Sequence, residues 1–152
     1  VDKTLQRLGR DHLDLYYLHE WDGQTPLEES LGTMDSLVRA GKVRYYGVSN
    51  FTSWQLMKAL MVCERNGFIK PIIQQIYYTP QARDAEYELI PVAIDQGIGT
   101  QVWRPLAMGL LTGKYRRGVR PEPCSTGCDG TVARAWTRLW QTATGPPRPA
   151  RR

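Results

Sequence analysis

The sequence predicts an α/β fold, with about four parallel strands joined by crossover helices. Three observations carry this reading. Four short segments, "LDLYYL" (13–18), "VRYYGVS" (43–49), "PIIQQIYY" (71–78) and "GTQVWRPL" (99–106), have the apolar content of buried strands. They begin roughly 27 to 31 residues apart, and a helical pattern fills each gap. Spacing of that length suits parallel neighbours, which need a long crossover, and not hairpins.

The elements follow in order. "VDKTLQRLG" reads as the last stretch of a helix. The first strand, 13–18, ends on His19, a residue that wants two hydrogen bonds where an apolar one would be expected. In "TPLEESLGTMDSLVRAG", Leu27, Leu31, Met34, Leu37 and Val38 share one face. Thr25 is the expected cap, Pro26 the first helical residue, Glu28 the partner in a capping box and Gly41 the stop. "TSWQLMKALMVCERNG" repeats the design: Thr52 caps, Gln55 returns the bond, Leu56, Leu60 and Cys63 form the stripe, and Gly67 ends it. "DAEYELIPVAIDQG" is expected to run as one helix from Asp84 to Gly97, kinked or locally adjusted at Pro91.

Composition bounds the function. Hydrophobic residues make up 41% and charged residues 23% of the 152, which is ordinary for a globular domain with a core. No apolar run is long enough to span a membrane. The net charge of +5 is concentrated after Tyr115, in Arg116, Arg117, Arg120, Arg134, Arg138, Arg148, Arg151 and Arg152, against Glu122 and Asp129. No sustained periodicity sets that charge on a scaffold. A basic disordered tail is therefore expected over 119–152, and nucleic acid is not an expected partner. Cys63 lies in a helical stripe and reads as core. Cys124 and Cys128 lack the further ligands of a zinc site, so no metal is expected. The odd cysteine count points to a reducing, cytoplasmic setting.

Two architectures fit the alternation, a doubly wound sheet and a (β/α)8 barrel. The first usually shows a glycine-rich phosphate loop after a strand. Here "GIGT" (97–100) precedes one instead. The strand ends favour the barrel. His19, Ser49 with Asn50, Gln75 and Trp103 each lie near the C-terminal end of a strand or within it, and a barrel gathers such residues on the face where its site lies. Each has a plain alternative: a structural histidine, a turn, an inter-strand bond, a core indole. Four in succession favour a shared rim, and a partial (β/α)8 barrel over residues 1–118.

"DLYYLHEWD", "LVRAGKVRYYGVSNF", "RDAEYELIPVAIDQGIGTQVW" and "PLAMGLLTGKY", in this order, resemble the aldo-keto reductases. The Trp at 103 and the "GLLTGKY" ending resemble the subgroup of bacterial reductases and potassium-channel beta subunits. The resemblance implies reduction of aldehydes or ketones with NADP(H) on a barrel. It makes His19 the group that orients the carbonyl. Ser49, Asn50 and Gln75 would bond the nicotinamide carboxamide, and Trp103 would stack on its ring. Pro105, Leu106, Ala107 and Met108 would form the turn beside the diphosphate, with Lys114 reaching the phosphates. Arg104 stands where the family usually has serine, and could pair with a phosphate or crowd the turn.

The tyrosine, aspartate and lysine that complete the family's catalytic set have no match here. Tyr16, Tyr17, Tyr45 and Tyr46 are not at the corresponding place. The chain alone is therefore expected to lack turnover. The alternative is a non-catalytic nucleotide-binding or channel-beta-like interaction module. An arc of four strands also leaves open edges that invite self-association.

Overall fold

The computed structural model describes residues 1–113; the expected tail over 119–152 and Lys114 lie outside the described residues. Val1–Ala107 form one compact unit, and Met108 begins a second, of which only the first few residues are described.

In the first unit α1 (Asp2–Leu8) leads into β1 (Leu13–Leu18), α2 (Leu27–Arg39), β2 (Val43–Ser49), α3 (Ser53–Asn66), β3 (Ile73–Tyr77), a 3-10 turn (Asp84–Glu86), α4 (Leu89–Asp95) and β4 (Gly99–Trp103). The strands pair in parallel and in chain order, β1-β2-β3-β4. The expected alternation and parallel pairing are both present.

Side chains alternate across each strand. Tyr46 and Val48 point to the helices and close a core with Leu27, Leu31 and Met34 of α2 and Leu56, Leu60 and Cys63 of α3. Gln74, on the same face, donates to the Leu89 carbonyl of α4 at 2.8 Å. All three crossover helices therefore lie on one side of the sheet. That is the barrel arrangement; a doubly wound sheet would place helices on both sides.

The other face is open. Leu15, Tyr45 and Tyr77 are 38%, 56% and 41% exposed. β1 is therefore less buried than its apolar sequence suggests: within the described residues it pairs only with β2, and only its helix-facing side is covered. The open face is concave. The Tyr17 hydroxyl donates to Gln101 Oε1 at 2.5 Å, from β1 to β4. Side chains standing upright on a flat sheet, three strand spacings or roughly 14 Å apart, would not meet. The sheet must curl toward this face. Gly47 clears the path, because a Cβ there would stand 2.6 Å from the Ile73 carbonyl oxygen and 2.7 Å from Tyr17 Cε1.

Two local expectations need correction. Thr25 does not cap α2. Its hydroxyl donates to Asp22 Oδ2 at 2.7 Å, while Asp22 Oδ1 accepts from the Gln24 and Thr25 amides, so Pro26 precedes the helix without a side-chain cap. The stretch 84–97 is not one helix: a 3-10 turn precedes α4, which begins at Leu89. Pro91 is the third residue of α4. Its missing N–H is one that a first turn leaves unpaired anyway, so it starts the helix without kinking it. At α3, by contrast, the Gln55 side chain accepts from the Thr52 amide at 2.8 Å, and Gly67 adopts the left-handed C-terminal conformation.

Asp35 ties α2 to the chain entering β3. Its carboxylate accepts from Arg39 Nε at 2.6 Å and from the Ile69 amide at 2.9 Å. The Arg39 bond first, then the Ile69 bond, hold its pKa below the ordinary 3.8. A group with a depressed folded-state pKa stabilises the fold above its unfolded pKa, and that contribution is lost as pH falls through the lower folded value. In urea melts between pH 7 and pH 3, Asp35→Asn is expected to be less stable than the parent near neutrality and to lose less on acidification. Gly47→Ala should destabilise by about 1–3 kcal/mol through overpacking against Ile73 and Tyr17, measured in the same melts.

Candidate functional site

The register converts sequence positions into a rim. Ser49 pairs with Gln75, and Gln75 with Gln101. Leu18 pairs with Val48, so His19, the next residue, extends to the rung of Ser49. By alternation His19, Ser49, Gln75 and Gln101 share one rung of the open face, and Tyr77, paired with Trp103, forms the next. Gln101 and Tyr77 are absent from the sequence-derived set. Counting two residues back from Trp103, or on from Gln75, would have found them.

Asn50 holds the rim together. Its backbone amide donates to the Gln75 carbonyl at 3.1 Å. Its Nδ2 donates to the His19 carbonyl at 3.2 Å, and its Oδ1 accepts from Trp103 Nε1 at 3.0 Å. One side chain thus joins the ends of β1 and β4, while its backbone is held to β3. This bracing occupies both ends of the amide, leaving one N–H and one lone pair for anything else.

Its neighbours are uncommitted. Ser49 is buried, yet its Oγ has no partner among the described residues. No side-chain hydrogen bond of Gln75 or His19 is seen among the described residues, and His19 is exposed at the rim. Buried polar groups are normally satisfied, so an orphaned hydroxyl beside an unused amide suits a polar ligand. A carboxamide matches this donor and acceptor chemistry, and the Trp103 indole one rung above offers a flat face. The residues fit a nicotinamide ring.

Trp103 is held on several sides. Tyr77 packs on it with ring centroids 4.6 Å apart and planes inclined by 34°. The Arg104 guanidinium stands over the same ring, 5.1 Å from its centroid. Arg104 is exposed, and at φ 54° it ends β4 before Pro105, which has no N–H for a ladder. The Ala107 amide closes the turn onto the Arg104 carbonyl at 2.9 Å, with Leu106 exposed on its outside.

The non-glycine residues with left-handed backbone among those described are Asn50, Arg104, Ala107 and Met108. All four belong to the site expected from sequence. Such a conformation costs an L-residue roughly 1–2 kcal/mol, and strain of this kind gathers where a site must aim groups that regular structure would not. Of Met108 the structure gives this backbone conformation within its own unit.

A cleft near Leu18, Trp21 and Phe51 holds about 50 Å³, against roughly 300 Å³ or more for ordinary ligand pockets. Among the described residues no three His, Cys, Asp or Glu side chains stand together as a metal would require, and no described helix is long and apolar enough to cross a membrane.

A sequence model of the aldo/keto reductase family matches residues 1–140. The chain is 42% identical over 114 residues to an uncharacterized oxidoreductase, YrpG, of Bacillus subtilis, covering 75% of this chain and 35% of that one. It is 39% identical over 116 residues to aflatoxin B1 aldehyde reductase member 2 of Mus musculus, covering 76% and 32%. It is 37% identical over 120 residues to a protein of Arabidopsis thaliana described as a probable voltage-gated potassium channel subunit beta, covering 78% and 37%. Among solved structures, one described provisionally as a 2,5-diketo-D-gluconic acid reductase B superposes with a TM-score of 0.64 at 29% identity, covering 72% of this chain and 37% of that one. The chain spans about a third of the length of the curated relatives it matches.

The brace is testable without disturbing its backbone. Asn50→Gly accepts the left-handed conformation but removes both side-chain bonds. It is expected to shift the Trp103 indole N–H signal in a nitrogen–proton correlation spectrum and to lower stability by about 1–2 kcal/mol. An unmoved indole signal would show that Asn50 does not hold Trp103 in solution.

Proposed function

The chain belongs to the aldo/keto reductase family, and from that premise we propose that it carries the nicotinamide-binding and carbonyl-polarising side of an NADPH-dependent reduction of aldehydes or ketones. The observation that carries the proposal is the rung on which Ser49 and Gln75 hold unused hydrogen-bonding groups, with His19 beside them and Trp103 above. NADPH, when bound, supplies the hydride. Ser49 and Gln75 bond the carboxamide and so fix which face of the ring looks at the substrate. Trp103 supports the opposite face. His19 donates an imidazole N–H to the substrate oxygen, which draws electron density from the carbonyl carbon and stabilises the negative charge that grows on oxygen.

The proposal assigns this chain no proton donor. The Tyr17 hydroxyl is committed to Gln101. Tyr46 is buried on the helix side and donates to the Ile69 carbonyl at 2.6 Å, and burial raises its pKa further. Neither matches the tyrosine that the family resemblance makes the proton donor, and His19 is assigned the polarising bond alone. Of the alternative, a non-catalytic nucleotide-binding or channel-beta-like interaction module, the second half draws support from the chain's likeness to the protein described as a channel beta subunit.

The test is a titration of NADPH into the 152-residue chain, followed by tryptophan fluorescence, with nicotinamide absorbance monitored after an aldehyde is added. Saturable binding without turnover is expected, and Trp103→Leu should weaken binding about three- to tenfold, the worth of one aromatic pair. Absence of binding would overturn the reading of the rim. Turnover by the chain alone would overturn the missing donor.

A further inference from the structure

We propose that Arg104 makes this site discriminate between the two redox states of its nicotinamide nucleotide, favouring the reduced form; the inference rests on the reading of the rim given above. Three observations carry it. The Arg104 guanidinium already stands over the Trp103 ring, 5.1 Å from its centroid. The ring cannot turn away, because Nε1 is bonded to Asn50 Oδ1 at 3.0 Å and Tyr77 packs against it at 4.6 Å. Arg104 itself is positioned by a left-handed backbone at φ 54°, in a turn closed by the Ala107 amide on its own carbonyl.

An indole face attracts cations through its electron-rich π system. Here a permanent cation occupies that attraction, since a guanidinium does not lose its charge in any ordinary range of pH. A nicotinamide stacked on this indole comes within a few ring thicknesses of the guanidinium. The oxidised ring carries a positive charge and the reduced ring carries none. Stacking the oxidised form therefore brings a second cation to an indole that already holds one, and stacking the reduced form does not. The diphosphate is the same in both forms. Any contact that Arg104 makes with phosphate strengthens both alike and cancels from the ratio of their affinities. The ratio isolates the effect on the ring.

The consequence is directional. A site that holds the reduced nucleotide and releases the oxidised one is biased toward carbonyl reduction over alcohol oxidation. Arg104 is exposed, so water and salt screen its field and the effect is moderate.

The experiment measures Kd for NADPH and for NADP⁺ on the full chain by tryptophan fluorescence, at low and high salt, in the parent, Arg104→Gln and Arg104→Lys. In the parent, NADPH is expected to bind more tightly than NADP⁺. The preference should fall about three- to tenfold in Arg104→Gln, the scale of two unit charges several ångströms apart near a protein surface. Arg104→Lys should keep most of it, and salt should erode the preference in the parent but not in Arg104→Gln. If both forms bind and the ratio in Arg104→Gln equals that of the parent, the inference is overturned while the reading of the rim stands. If Arg104→Gln weakens both forms equally, Arg104 serves the phosphates alone and the inference is again overturned. If neither form binds to the parent, the rim itself has been misread.

Discussion

The rim depends on the side chain of one asparagine. Parallel strands deliver residues to a common edge, but their ends are where ladder hydrogen bonds run out and loops begin to diverge. Asn50 sits at that point with left-handed backbone, and its amide reaches the His19 carbonyl in one direction and the Trp103 indole in the other. Asparagine tolerates this conformation better than most residues, because its short polar side chain can bond locally. With the backbone bond to Gln75, that side chain then ties the ends of the four strands into one edge. A functional group on a loop is only as precise as the element that braces it, and here the brace lies inside the site.

Beneath the rim, the curl of the sheet sets the distance between its two sides. Tyr17 and Gln101 meet across the concave face, over a glycine that removes the side chain that would have stood between them. On the other side, the stripes of α2 and α3 fill the space behind β2, with Tyr46, Val48 and Cys63 fully buried. Helices on a single side leave the opposite face free to line a cavity. This division of labour lets one set of residues hold the fold and the alternate set offer chemistry.

The electrostatics of the site are sparse. Within the described rim Arg104 is the charged group that touches the ring a ligand would use, and it does so through an aromatic face and not through a counter-ion. Of the acidic groups whose carboxylates are held below their ordinary pKa, Asp35 is tied to Arg39 of its own helix and Glu86 to the nearby Arg83, and both serve the scaffold. Permanent charge placed beside a fixed indole is a blunt device, but it needs no movement to distinguish a charged ring from a neutral one.

The sequence by itself determined the alternation of strands and helices, the bounds of β1 and β2, the caps of α3 and the membership of His19, Ser49, Asn50, Gln75 and Trp103 in successive strand ends. These are local properties, written in side-chain period and in the chemistry of chain termini. Tertiary structure decided the rest. Thr25 could have capped α2, but Asp22 folded back and took its hydroxyl. Pro91 could have kinked a long helix, but the helix began late enough for the missing N–H to be harmless. Gln101 and Tyr77 entered the rim only through register. Asn50 became a brace, and not simply a free ligand, because curvature brought β4 within its reach. Period and capping act over a few residues and can be read along the chain. Register, curl and competition for a hydrogen bond are settled between segments far apart in sequence, and no local pattern encodes which of two available partners will be nearer.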